Sequence, residues 1–288
     1  MKEKKMDKGR SQAAEVWKRL RRNKMAMVGL FLLILLILCA VFADWLAPYG
    51  YDEQDVMRKF TAPCREFPLG TDNYGRCILS RIIYGSRISL EIGLVSVGIS
   101  AVFGSLLGAV AGYFGGKVDN IIMRILDIMM AIPGVLMAIA ISASLGAGLQ
   151  NAMIAVVVTA TPGFARVVRA SALSVSGQEY IEASRAINAG NRRIILRHVI
   201  PNVMAPIIVQ ATLGVASAIL QTAMLSFIGL GSQPPVPDWG SMLSAGRTYL
   251  RDYWYMSTFP GVAIMLTIFS LNILGDGLRD ALDPRLKG

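Results

Sequence analysis

Six long apolar runs, separated by short polar stretches, dominate the chain. They cover residues 25–47, 88–112, 119–145, 149–172, 200–230 and 257–279. Each is long enough to cross a bilayer as a helix, which takes about 20 apolar residues. The pattern predicts an all-α polytopic membrane protein with six transmembrane helices. Pro133-Gly134 interrupts the third run and Pro162-Gly163 the fourth. Each break costs helix hydrogen bonds, so both are expected to face other helices or a cavity rather than lipid. The second run carries Gly104, Gly108 and Gly112 at i, i+4 and i+8, a small-residue ridge that permits close helix packing. Gly146-Ala147-Gly148 predicts a short outer turn joining the third and fourth runs as a hairpin.

The stretches between the runs have their own patterns. Trp45, Pro48 and Tyr49 mark the outer end of the first span, as interfacial aromatics do. Residues 50–75 form a polar loop. From Arg76 to Arg87, arginines alternate with Ile and Leu at helical spacing, which predicts a helix lying on the outer membrane surface. In the fifth run, Gln210, Gly214, Ser217 and Gln221 make one polar or small stripe down an apolar helix. Such side chains face protein or water, so the stripe either glues helices together or lines a path. Gln233-Pro234-Pro235-Val236-Pro237 stiffens an outer loop, and Trp239 to Leu250 predicts a second surface helix. The last span ends at Asp283-Pro284.

A charged island, SGQEYIEASRAINAGNRRIILRHVIPN, runs from Ser176 to Asn202. It reads as two short helices joined by a turn. Ser176 and Glu179 have capping-box spacing. The first helix places Tyr180, Ile181, Ser184 and Ile187 on one face, and Glu182 and Arg185 on the other. Asn188-Ala189-Gly190 stops it, since Asn and Gly tolerate the left-handed conformation. Asn191 is placed to cap the second helix, which continues through Pro201 into the fifth span. On pattern alone the island is either a docking knuckle or an ordinary basic loop.

Composition agrees with a membrane protein: 54% of the 288 residues are hydrophobic, 17% are charged, and mean hydropathy is +0.51. Net charge is +10. With the N-terminus placed in the cytoplasm, 21 of the 29 Lys and Arg residues lie inside and 8 outside, as the positive-inside rule requires. Both termini are therefore expected in the cytoplasm. Residues 1–24 are basic and precede a 23-residue apolar run with no small-residue cleavage site, which reads as an uncleaved span rather than a signal peptide. A nucleic-acid tail is disfavoured, because Trp17 is the one aromatic residue there. The expected organisation is a basic segment (1–24), a first span (25–47), an outer loop with a surface helix (48–87), a five-helix core (88–283) and a cytoplasmic tail (284–288). The core includes the charged loop 176–202 and an outer loop 231–256.

The island resembles the EAA loop of binding-protein-dependent ABC importer permeases. That pattern is Glu-Ala-Ala, three residues, Gly, nine residues, then Ile-x-Leu-Pro. Glu182, Ala183 and Pro201 match it, while Ser184, Asn188 and Ile200 stand for Ala, Gly and Leu. His198 and Pro201-Asn202 are similar to the dipeptide, oligopeptide and nickel branch. So are PLGTDNYGRCILSRIIYGSRISL from Pro68, GLGSQPPVPDWGSML from Gly229 and GDGLRDALDPRL from Gly275. Cys77 departs from that branch, which usually has an acidic residue there. The resemblance implies a type I ABC importer fold at a bacterial or archaeal cytoplasmic membrane. It implies a homologous second permease chain, two ATPase subunits that hold ATP and Mg, and an extracytoplasmic substrate-binding protein. By the same resemblance Tyr180, Ile181, Glu182, Ala183, Ser184, Arg185, Asn188 and Gly190 form the helix that couples to an ATPase, with Arg192 and Arg193 adding charge.

Other chemistries are poorly served. Gly115-Gly116-Lys117 is followed by Val118, where a nucleotide-binding loop needs Ser or Thr. One His and three Cys do not make a dedicated zinc site of His/Cys type. His198 has no catalytic partner that spacing identifies. The spans lack the midplane carboxylate that proton coupling usually uses. The chain is thus expected to be a non-enzymatic permease subunit with no cofactor of its own, contacting lipid and protein partners but no nucleic acid. Its cargo is expected to be dipeptides or oligopeptides, with nickel chelates or another small solute as the alternative. A proton-coupled carrier and a membrane-embedded enzyme are the rival classes. Gln210, Ser217 and Gln221 are the candidate pathway residues. Cys64 and Cys77 could be bridged in the outer loop, where closure would stabilise by about 3 kcal/mol in the chain-entropy model, or could be two free thiols.

Overall fold

The computed structural model describes residues 12–282. The first eleven residues of the basic segment, Asp283-Pro284 and the 284–288 tail lie outside them. In chain order the helices are α1 (Gln12–Leu20), α2 (Lys24–Val41), α3 (Ala43–Leu46), α4 (Ile78–Phe114), α5 (Gly116–Ala131), α6 (Gly134–Leu145) and α7 (Leu149–Ser176). Then come α8 (Glu179–Ala186), α9 (Asn191–Ile194), a π-helical segment (Ile195–Val199) and α10 (Ile200–Asn202). The chain ends in α11 (Met204–Phe227), α12 (Trp239–Arg247) and α13 (Tyr255–Leu282). Five helices are long and apolar enough to span a membrane, and six if the bent pair α5–α6 counts as one.

The bundle is organised around the pairing of α4 with α7. A Cβ added at Gly104 would lie 2.5 Å from Phe164 Cβ, one at Gly108 2.3 Å from the Ala165 carbonyl, and one at Gly112 2.7 Å from Ala172 Cβ. These glycines are therefore the reason the two backbones can touch. In a bilayer, packing of this kind replaces the hydrophobic drive that joins helices in water. Around this pair, α11 packs against α4, α7 and α13, and α2 lies across α13 and α4. Gly29 on α2 allows close approach to Ser270 of α13, where an added Cβ would sit 2.7 Å from the carbonyl. The outward faces remain apolar, with Phe31, Ile34, Leu35 and Leu38 of α2 exposed to the lipid side.

Two predicted features differ, the anticipated break in the third span proves sharp, and the open question of Cys64 and Cys77 is answered by free thiols. The surface helix at 76–87 is not separate: Ile78–Phe114 is one 37-residue helix. At about 1.5 Å per residue it is about 55 Å long, beyond the roughly 30 Å hydrocarbon layer. No proline interrupts it, and Gly85 serves packing, since an added Cβ would lie 2.9 Å from the Trp239 indole. The helix at Trp239 does not lie on a surface. Trp239 is buried and donates its indole N–H to the Ile82 carbonyl at 3.0 Å, tying α12 to α4, while α12 packs against α11 and α13. Asp238 caps α12 by accepting from Ser241 N at 3.0 Å; burial pushes its carboxyl pKa up, opposed by bonds from Ser226, Ser241 and Gly240. The third span is an elbow, with α5 and α6 meeting at 88° across Pro133. Finally, Cys64 and Cys77 are both free. The Cys64 Sγ accepts from Phe67 N at 3.4 Å, and Cys77 is buried as the residue leading into α4, so each thiol is held in its own surroundings and the bridge is not formed.

The glycine seam makes a direct prediction. Gly108→Leu should abolish accumulation of folded subunit, while Gly98→Ala, where nothing lies within 4 Å of an added Cβ, should leave it unchanged. Membrane levels and detergent melting of the two variants check this. Equal behaviour would show that the α4–α7 seam is not critical.

Candidate functional site

The charged island forms a compact knuckle at one end of the bundle. α7 runs through Ser176, so that residue does not cap the next helix. Its Oγ is buried without a partner among the described residues, and extended Gln178 takes the N-cap position with no side-chain cap bond. The capping-box reading failed because α7 holds its last turn longer than its polar sequence suggests.

α8 is held by one residue. Ile181 is fully buried in a cluster with Ala109 and Tyr113 of α4, Val168 and Ala172 of α7, and Ile194, Ile195 and Val199. Asn188 then ends the helix at φ 58°, the left-handed conformation its sequence position anticipated. Asn188 N donates to the Arg185 carbonyl at 2.9 Å, and Ala189 N to the Ser184 carbonyl at 3.0 Å. This is a Schellman closure, and Asn supplies the positive φ that Gly more often provides. The predicted apolar face is split. Ile181 is inside, but Ile187 is 81% exposed and Tyr180 is exposed as well. Glu182, Ala183, Arg185, Asn188 and Gly190 are exposed, and Ser184, half-buried, donates its hydroxyl to the Tyr180 carbonyl at 2.7 Å. The knuckle thus presents a convex surface of Tyr180, Glu182, Ala183 and Ile187, flanked by Arg192 and Arg193.

Asn191 is not the cap of the second helix. Gly190 is, in extended conformation, and Asn191 is the first helical residue. Its side chain has another task. Tyr113 at the end of α4 donates its hydroxyl to Asn191 Oδ1 at 2.9 Å, and the Arg185 guanidinium lies 4.7 Å over the Tyr113 ring. Arg185 Nε also donates to the Tyr113 hydroxyl, at 3.4 Å. Tyr113 therefore clasps both halves of the knuckle. Its clue in the sequence was its place one residue beyond the glycine ridge.

The link to α11 is jointed rather than continuous. Pro201 has no N–H to give the Arg197 carbonyl, and the preceding turn widens to the π segment Ile195–Val199. Val203 then leaves helical geometry at φ −108°, ψ 13° before α11 begins.

Further along α11, Gln210, Ser217 and Gln221 line one groove of about 470 Å³ between α7, α11 and the α5–α6 elbow. Their roles differ. Gln221 accepts from Thr159 Oγ1 at 3.2 Å and donates to the Gly134 carbonyl at 3.3 Å, bracing the elbow. Ser217 is exposed in the groove and Gln210 is half-buried. Pro162 does not interrupt the fourth span: α7 runs through it as one helix, with Pro162 buried and Gly163 lining the groove. At the knuckle end of the elbow, Arg166 pairs with Asp127 at 2.8 Å and Arg169 grips Asp119 with Nε and Nη2. Among the described residues no three His, Cys, Asp or Glu side chains cluster as metal ligands would.

The clasp predicts that Tyr113→Ala loosens the knuckle, raising tryptic cleavage at the exposed Arg185, Arg192 and Arg193 several-fold in the purified protein. Tyr113→Phe, which loses two hydrogen bonds worth about 0.5–1.5 kcal/mol each but keeps the ring under Arg185, should raise it less than Tyr113→Ala does. Unchanged cleavage in both variants would remove Tyr113 from this role.

Comparison with known proteins places the fold and the family. The chain is 47% identical over 273 residues to the dipeptide transport system permease protein DppC of Alkalihalophilus pseudofirmus, covering 95% of this chain and 90% of that protein. It is 46% identical to the di/tripeptide transport system permease protein DppC of Pseudomonas aeruginosa, covering 96% and 93%. It is 44% identical to the glutathione transport system permease protein GsiD of Escherichia coli, covering 99% and 94%. Its fold is similar to a chain of the MetNI methionine ABC transporter solved in inward facing conformations, with TM-score 0.57 and 21% identity over 72% of this chain and 98% of that one. Residues 11–63 match the N-terminal TM domain of oligopeptide transport permease C. Residues 104–288 match the binding-protein-dependent transport system inner membrane component, and the chain belongs to that permease family.

Proposed function

We propose that this chain is one of two permease subunits of an ATP-driven importer of short peptides. The observation that carries the reading is the knuckle: a convex, solvent-exposed helix whose one buried residue, Ile181, seats it on α4 and α7. Relatives at 44–47% identity bear the names of dipeptide, di/tripeptide and glutathione permeases, which supports peptide cargo. The knuckle docks in a cleft of a partner ATPase, with Tyr180, Glu182, Ala183 and Ile187 as the contact surface. ATP and Mg are held by that partner, in keeping with the missing nucleotide-binding loop. A substrate-binding protein delivers cargo at the opposite end of the bundle, and a homologous permease chain completes the pathway.

Transport proceeds by alternating access. When two ATPases close on ATP, the knuckle moves with its ATPase. The joint at Pro201 and Val203 passes that displacement to α11. The groove containing Gln210, Ser217 and Gln221 is this subunit's share of the path. Its uncharged lining suits peptides of varied side chain.

Orientation follows from charge: the knuckle and the termini are cytoplasmic. A Cys placed at Ser184 should be labelled by an impermeant maleimide only from the inside, and one at Gln233 only from the outside. The reverse pattern would overturn the arrangement.

Coupling and pathway are tested in one assay. In a reconstituted complex with its binding protein, Glu182→Lys should weaken ATPase attachment or abolish uptake while the permease still reaches the membrane. Ser217→Trp should preserve assembly and block uptake. Normal uptake with Glu182→Lys would reduce the loop to a topogenic one, and normal uptake with Ser217→Trp would take the groove off the path.

A further inference from the structure

A second cavity lies at the end of the bundle away from the knuckle. It has a volume of about 550 Å³ and sits between the outer loop, the start of α4, the 234–236 turn and α12. Its lining includes the basic side chains of Arg76, Arg81 and Arg247, the last with its guanidinium 5.4 Å over the Phe227 ring, and one carboxylate, from Asp72. Arg76 and Arg81 are buried, with side chains 9% and 6% exposed. Asp72 accepts from Arg76 Nε at 2.7 Å and lies 3.9 Å from Arg81 Nε. Arg81 Nη1 donates to the Tyr51 carbonyl at 2.8 Å and the Pro235 carbonyl at 3.4 Å. Among the described residues these are the only acceptors the two buried guanidiniums find. Arg76 Nη1 and Nη2 and Arg81 Nη2 find no acceptor there, and none of them is sealed off from the surrounding space, so their N–H groups are open to a ligand.

We propose that this cavity is a carboxylate site that takes the C-terminal end of a short peptide on the extracytoplasmic side of the permease. The proposal rests on the peptide-import reading above. One carboxylate cannot neutralise three guanidiniums, so the site favours an anion. Asp72 already occupies one side, which favours a singly charged group over a phosphate dianion. Arginine forks pair with carboxylates through two parallel bonds. The depth of Arg76 and Arg81 restricts entry to a small ligand. Ile78, Val236 and Met242 add apolar lining, so the ligand carries a side chain beside its carboxylate. Asn73, beside Asp72, also lines the cavity. The volume falls in the range of small-molecule sites.

The test uses the four-subunit complex in nanodiscs, without the binding protein. Equilibrium dialysis compares radiolabelled alanyl-leucine with its C-terminal amide. The acid should bind at least tenfold more tightly than the amide, as loss of a charge-assisted pair requires. Arg247→Gln, at an exposed position that leaves the Asp72–Arg76 pair intact, should weaken acid binding by about tenfold, and Arg81→Gln should weaken it further. Equal binding of acid and amide, no binding at millimolar peptide, or wild-type binding by Arg247→Gln would each overturn the proposal. The same preparation, given binding protein and ATP, is assayed for peptide uptake. Uptake without acid-selective binding overturns this site and leaves the importer reading standing. Acid-selective binding lost in Arg247→Gln, with no uptake of any peptide, supports the site and counts against the importer reading.

Discussion

The close contact between α4 and α7 is the constraint on which the other parts depend. Lipid tails are as apolar as leucine, so helices in a bilayer are joined by shape rather than by escape from water. Gly104, Gly108 and Gly112 remove the side chains that would hold the helices apart, and the α7 backbone enters the space they leave. Both functional regions are built on that seam. The ridge ends at Gly112, and the next residue, Tyr113, is thereby delivered to Asn191 and Arg185 of the knuckle. On the same α7, Thr159 and Gly163 form one wall of the groove. A knuckle and a groove wall mounted on one tightly packed pair keep a fixed relation to each other, which the importer proposed above would require.

What moves must then lie elsewhere, and the backbone indicates where. Between the knuckle and α11 the chain passes through a π-helical turn, a proline without an N–H, and a non-helical Val203 within nine residues. Each weakens the regular hydrogen-bond ladder that would make a straight rod. By contrast, the knuckle itself is tightly closed: the Asn188 turn satisfies the last carbonyls of α8, and Ile181 is fully buried. The tightly closed part is the knuckle and the irregular backbone is just behind it.

Much of this was legible in the residues. Apolar runs of bilayer length located the spans, because helices must satisfy their own backbone in lipid. The glycine ridge and the left-handed Asn188 were legible because few other residues can occupy such positions. Boundaries set by distant partners were not. Arg76 to Arg87 looks amphipathic, yet it continues α4, because Trp239, some 150 residues later, covers Gly85 and bonds to Ile82. Ser176 has the local spacing of a cap but lies inside the end of α7. Tyr113 carries no local signal at all beyond its place after Gly112. The α11 stripe was correctly read as one face, but pattern could not divide it into Gln221, which braces the elbow, and Ser217, which stands open in the groove.

The elbow completes the physical argument. Pro133 breaks the third span, leaving α6 turned 88° from α5. The Gly134 carbonyl beside the break is met by Gln221, so the bend is held by a side chain of α11 rather than by its own helix. At its other end α5 is tied to α7 by the Asp119–Arg169 and Asp127–Arg166 pairs. The second of these is about half exposed on both sides, where such pairs contribute roughly 0–1 kcal/mol. The glycine seam, in contrast, would have to lose many van der Waals contacts at once to open. Of the groove's walls, α7 is therefore the fixed one. The elbow also packs against α7 and α4, and two of its polar attachments are the half-exposed Asp127–Arg166 pair and the Gln221–Gly134 contact from α11. Any displacement of α11 would bear on the Gln221–Gly134 contact, and through it on the width of the groove.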